Sequence, residues 1–113
     1  MNIKDVNTFE GWKKLDKAHD FRCVYCGLDF LSSPCAFASA VKDHFIPRKE
    51  GGEELVSSCS FCNMLKGSSR FKDIPIARKE IKKRQEEYLT RCEFEELKAK
   101  YRKGRIDENP KNP

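Results

Sequence analysis

Four cysteines come in two C-x2-C pairs, Cys23/Cys26 and Cys59/Cys62, with 32 residues between the pairs. Two residues between thiols let both sulfurs turn into one tight bend. Two such bends supply the four thiolates of a tetrahedral zinc site, at roughly 2.3 Å per bond. A dithiol redox pair needs only one C-x2-C and usually a βαβ setting, which is not legible here. Simple zinc ribbons leave roughly 15–20 residues between pairs. The surplus is read as a working segment inserted between two halves that zinc clamps together. That segment holds Asp43-His44, at the end of an apolar run and shortly before Pro47. An aspartate oxygen and the carbonyl of Asn63, directly after Cys62, are hard oxygen ligands suited to magnesium or manganese. Histidine is the side chain whose unperturbed pKa lets it take a proton near neutral pH. The remaining thiols, Cys35 and Cys92, have no second partner at metal spacing and read as core or surface residues. His19 is isolated and reads as structural.

Elements must bring these residues together. Asn7-Thr8 can cap a short helix to about His19, with Phe9, Trp12 and Leu15 along one side. "RCVYCG" is a tight turn with Gly27 after its second cysteine. "CAFASAVKDHF" reads as one strand ended by Pro47. Adjacent strand residues point to opposite faces, so Asp43 and His44 serve one site only where the strand ends or bends. "RKEGGEE" is a polar loop. "LVSSCSFCNMLKGSS" starts extended, turns helical near Ser60 and stops at Gly67. From residue 73 to 104 the pattern is a long basic helix, with Asp73 near its start and Pro75 in its first turn. Ala77, Ile81, Tyr88 and Cys92 keep one apolar stripe. Phe94, Leu97 and Tyr101 keep a second stripe, out of step with the first, so the helix bends or becomes a helix pair near Thr90 to Glu93. These stripes could form a homodimer interface or pack on the zinc core. "RIDENPKNP", residues 105–113, is a polar tail expected to be disordered. The division expected is therefore 1–20 (helix), 21–72 (zinc-stapled core), 73–104 (helical extension) and 105–113 (tail).

Composition narrows the function classes. The chain has 113 residues, 38% hydrophobic and 36% charged, with a mean hydropathy of −0.76. Such a chain builds one small core and gains from a staple. No apolar run follows the start, and nothing approaches the roughly 20 apolar residues of a membrane span. The expected compartment is the reducing cytoplasm, where paired cysteines hold metal more often than they form disulfides. The net charge is +5 and uneven: residues 1–65 carry 8 Lys+Arg against 9 Asp+Glu, residues 66–113 carry 15 against 9. A basic excess in one half fits a nucleic-acid partner; a solvated, salt-bridged helix would look the same.

The order C-x2-C, D-H-x2-P, G-G, Leu-Val, C-x2-C-N-x2-K-G resembles the His-Asn-His (HNH) endonucleases with a ββα-metal fold. The pieces are Cys23/Cys26, "DHFIP", Gly51-Gly52, Leu55-Val56 and "CSFCNMLKG", from Cys23 to about Gly67. The resemblance implies a small α+β fold with a ββα-metal core stapled by structural Zn2+. It implies that His44 is the general base that deprotonates water. Asp43 and Asn63 would hold one catalytic divalent cation, Mg2+ or Mn2+, with Ni2+ or Zn2+ as alternatives. The partner would be DNA, with Arg48, Lys66 and Arg70 as phosphate contacts. One position departs from the pattern. Family members usually carry asparagine five residues before the third zinc cysteine, and here that residue is Glu54. An ionised glutamate only accepts hydrogen bonds, whereas an amide also donates; Glu54 could accept backbone N–H bonds or hold a metal instead. The departure bears on activity more than on fold. Two other functions therefore stand beside an endonuclease: a zinc-stabilised nucleic-acid-binding module without catalysis, and a protein-interaction adaptor that uses the long helix.

Overall fold

The computed structural model describes residues 9–46 and 54–102. The expectations for Asn7-Thr8, Pro47, Arg48, Gly51-Gly52 and the tail lie outside the described residues.

Two short strands, β1 (Ala40–His44) and β2 (Leu55–Cys59), pair antiparallel, Ala40 opposite Cys59 and His44 opposite Leu55. All five residues of β2 are buried, because helices cover both of its faces. One cover is α1 (Phe9–Ala18), which brings in Leu15 at 1% exposure. Asp16 on the same helix accepts a 2.8 Å hydrogen bond from the buried Ser57 hydroxyl. At the edge of the contact Lys42 lies over the Trp12 ring, 4.6 Å from its centroid.

The other cover is α3 (Ser60–Lys66), which follows β2 without a break. Cys59 itself caps this helix: its sulfur accepts from the Cys62 N–H at 3.4 Å. The helix ends at Gly67, whose φ of +57° is a left-handed backbone that glycine adopts without a Cβ clash.

The segment expected as one strand from Cys35 to Phe45 divides in two. Its first part is a short helix, α2 (Pro34–Ala38), and only Ala40–His44 is strand. The cause is local. The Ser33 hydroxyl accepts from the Ala36 N–H at 3.0 Å, and proline in the first turn gives up no hydrogen bond.

Behind α3 runs α4 (Ile74–Arg91), capped by Asp73, whose carboxylate accepts from the Ile76 N–H at 2.9 Å. Ala77 and Ile81 enter the core with Cys23, Tyr25, Phe30, Val56 and Cys62. Phe61 and Tyr88 meet edge to face at 5.2 Å. Arg84 donates to the Leu65 carbonyl at 2.9 Å and the Ser69 hydroxyl at 2.8 Å, supplying a cation where the α3 dipole is negative. The chain breaks helix at Cys92 and Glu93, where Glu93 is left-handed (φ 56°), and α5 (Phe94–Tyr101) begins. No residue of α5 is buried, and Phe94, Leu97 and Tyr101 stay exposed. Ile81 is 2% exposed inside the core, which removes it from any dimer interface. No helix among the described residues is long and apolar enough to cross a membrane.

A four-cysteine cluster beside a buried Asp-Lys pair

Two turns carry the cysteines. The first is a narrow loop closed by a bridge between Arg22 and Asp29. Within it the Gly27 N–H donates to the Cys23 carbonyl at 2.9 Å, and Gly27 sits at φ +80°, which favours glycine there. The N–H groups of Tyr25 and Cys26 both donate to the Cys23 sulfur at 3.4 Å. The second turn is the start of α3. The Val24 N–H bonds to the Ser57 carbonyl at 2.9 Å and draws the first turn onto β2.

These restraints gather the four sulfurs within 4.8 Å of one another. Sulfurs bonded at 2.3 Å to one tetrahedral centre stand about 3.8 Å apart, and the Cys26 and Cys59 sulfurs are 3.8 Å apart. A disulfide requires about 2.05 Å, and all six cysteines are free thiols. Charge makes the same demand. Hydrogen bonds from its three neighbours draw the Cys23 thiol well below the usual range, while contact with Cys23, Cys26 and Cys59 pushes Cys62 far above it. Four thiolates share so small a volume only if a cation shares their charge. The donor set and spacing fit a metal ion such as zinc.

Beside the cluster lies Asp43, 4% exposed. Burial raises its pKa above 3.8, and hydrogen bonding to Tyr25 and the charge of Lys66 oppose that rise. The Tyr25 hydroxyl donates to Asp43 Oδ2. Lys66 Nζ stands 3.4 Å from Asp43 Oδ1 and donates to the His44 carbonyl at 3.0 Å. Burial also pushes the Tyr25 hydroxyl far above its ordinary value, with the bond to Asp43 adding to it, so it stays protonated and able to donate. Both cysteine turns thus grip the same carboxylate. Tyr25 lies between Cys23 and Cys26, and Lys66 lies one turn beyond Cys62.

The structure treats the expected site residues unequally. Lys66 corrects an expectation: at 1% exposure it is not a surface phosphate contact, because a buried carboxylate holds its ammonium. Asp43 and Lys66 join the end of β1 to α3, and Asn63 sits one turn before Lys66 on that helix, half-buried. His44 ends β1 and is half-buried; its Nδ1 is buried and has no hydrogen-bond partner among the described residues. Glu54 is exposed, opposite Phe45, whose N–H donates to the Glu54 carbonyl at 3.2 Å. Arg70 is exposed in the turn after α3. Arg48 lies outside the described residues.

Tyr25 and its bond to Asp43 were not anticipated. The signal available was its place inside a C-x2-C turn, since a buried tyrosine needs a partner for its hydroxyl.

Fold and site together define a small α+β protein with a two-stranded antiparallel sheet and a four-cysteine cluster that could hold zinc. No protein-family profile matches the chain, and no solved structure matches it. Among curated proteins, the chain is similar to the CRISPR-associated endonuclease Cas9 of Corynebacterium diphtheriae, 38% identical over 55 residues. The match takes in 44% of this chain and 5% of that protein.

Proposed function

We propose that the chain is a metal-dependent endonuclease of the HNH type, hydrolysing DNA phosphodiester bonds. The observation that carries this reading is the Asp43–Lys66 contact, which ties the end of a β1–β2 pair to the helix bearing Asn63, beside four clustered cysteines. The likeness to part of a CRISPR-associated endonuclease supports it. In this reading residues 21–72 form the nuclease core, 1–20 a supporting helix and 73–104 an extension.

Each residue then has a task. His44 takes a proton from the attacking water, an effect usually worth about 10²–10⁴-fold. Asp43 and Asn63 are the oxygen donors that would hold a divalent cation. When bound, that cation neutralises charge developing on the phosphate and on the leaving 3′-oxygen. Tyr25 and Lys66 hold the Asp43 carboxylate in one orientation. Lys66 also limits the site: its ammonium already balances the Asp43 charge, so a divalent cation needs the negative charge of the DNA phosphate to stay. Cys23, Cys26, Cys59 and Cys62 hold a structural zinc and do no chemistry.

A second reading keeps the fold and drops the catalysis, leaving a zinc-stabilised DNA-binding module. It is favoured by Glu54 at the usual asparagine position and by His44 Nδ1, which among the described residues finds no hydrogen bond that would fix the ring's tautomer. One experiment separates the two. Supercoiled plasmid is incubated with zinc-loaded protein and Mg2+, Mn2+ or Ni2+, beside His44→Ala, Asp43→Ala and Asn63→Ala. Cleavage by the wild type that falls at least about 100-fold in His44→Ala supports the endonuclease. DNA binding without cleavage in any protein supports the module.

A further inference from the structure

Between the first cysteine turn and α4 lies a groove of about 480 Å³. Arg78, Lys79 and Lys82 form its walls; Tyr25, Pro75 and Ile81 contribute apolar surface. Among the described residues, no carboxylate lines it. Three further hollows along α4 differ. One sets Lys79, Lys82 and Lys83 against Glu80 and Glu86; another sets Lys83 and Arg91 against Glu86 and Glu87. A third carries Glu86, Glu95 and Glu96 and no cation. Among the described residues, the surface facing the cysteine turn presents cations without acid, although Lys79 and Lys82 also border the mixed hollow on the other side.

We propose that this groove seats a stretch of DNA backbone, extending the contact made at Asp43 and His44 along α4. The inference rests on the reading of the chain as acting on DNA, and names a path for the strand outside the expected phosphate contacts. Phosphates match the three cations, and sugar edges match the apolar surface. Arg78 is prepared for the task. Its Nε donates to the Val24 carbonyl at 2.6 Å, which steadies the side chain. The terminal Nη donors, the pair that grips a phosphate in a bidentate manner, are not used by that bond. Tyr25 connects the groove to the site, since it is among the residues lining the groove and its hydroxyl reaches Asp43.

A competing role for these cations is to offset the cluster, because four thiolates around a dication carry a net charge of about −2 and Cys26 also lines the groove. The test must distinguish the roles. The zinc-loaded chain is titrated with a short labelled DNA duplex without added divalent cation, over a range of salt. Lys79→Glu/Lys82→Glu is compared with Lys98→Glu/Lys100→Glu on α5, which changes the net charge equally outside the groove. The groove variant is expected to bind about 10-fold more weakly at low salt, with the slope of log K against log salt reduced by about 1.8, two contacts' worth. The control keeps the wild-type slope, and all three proteins keep their zinc by metal analysis. The proposal is overturned if groove and control variants behave alike, if lost binding tracks lost zinc, or if an RNA duplex of the same sequence is preferred. Plasmid cleavage is scored separately. A wild type that binds through the groove without cutting refutes the endonuclease and keeps the groove; a wild type that cuts while the groove variant binds like the control does the reverse.

Discussion

Lys66→Met tests the contact on which the site depends. Methionine keeps most of the buried stem and removes the ammonium that faces Asp43 Oδ1 at 3.4 Å and donates to the His44 carbonyl at 3.0 Å. Among the described residues, Asp43 is then left buried with Tyr25 as its remaining hydrogen-bond partner. Breaking a buried pair from one side typically costs about 3–5 kcal/mol. The carboxyl can escape by taking up a proton, which sets a ceiling on its own share. Protonating a group of ordinary pKa 3.8 at neutral pH costs about 4 kcal/mol, at 1.36 kcal/mol per unit. The lost bond to the His44 carbonyl adds about 1 kcal/mol. A loss of about 3–5 kcal/mol is expected at about pH 7.5, measured by urea unfolding of zinc-loaded protein. The pH dependence has a definite sign. An acid whose folded pKa is raised keeps its proton longer in the folded state than in the unfolded state, so stability falls as pH rises between the two values. Removing Lys66 raises Asp43 further, so the deficit shrinks towards about pH 6, by up to 1.4 kcal/mol per unit. Adding Asp43→Asn, whose amide oxygen still accepts from Tyr25, should recover much of the loss. A deficit below about 1 kcal/mol, one flat with pH, or a double variant as unstable as the sum of the singles would refute this account.

Other outcomes follow from the same geometry. Chelation of the metal should abolish cooperative unfolding, because structural zinc supplies on the order of 10–16 kcal/mol in small cysteine-rich units; an unchanged melting curve after metal loss would contradict the cluster's role. Thiol alkylation of native zinc-loaded protein should modify the exposed Cys35 and Cys92 quickly and spare the other four, which mass spectrometry of peptides reads directly. Because Lys66 already balances Asp43, Mn2+ should bind His44→Ala at least about 10-fold more tightly with DNA present than without it, as judged by titration calorimetry. Burial lowers the His19 pKa from its ordinary 6.5. The unfolded chain therefore binds the proton first, and stability is lost as pH falls through that value; His19→Gln should flatten the profile, and an unchanged slope would count against it.

Local chemistry explains which elements were legible. The Asp73 cap, Pro75 in the first turn and the Ala77/Ile81 spacing are signals written within a few residues, and α4 follows them. The change of stripe near Thr90 likewise marks the break at Glu93. The strand expected from Cys35 gives way to helix for an equally local reason: Ser33-Pro34 is a cap followed by a first-turn proline, and it outranks the β propensity of the residues after it. Lys66 failed for a different reason. Its spacing from Cys62 says only that it lies one turn further along α3. Whether that turn faces water or a carboxylate depends on which strand packs against it.

Spacing alone determined the cysteine cluster, because two residues between thiols permit little but a tight turn, and two such turns make one four-sulfur set. Composition alone determined that the basic charge belongs to the second half. Only tertiary packing decided what surrounds Asp43, because Tyr25, Asp43 and Lys66 lie 18 and 23 positions apart in the chain. No local preference encodes such a meeting; it arises when the two cysteine turns close on β1 and leave a buried carboxylate that must find its donors there.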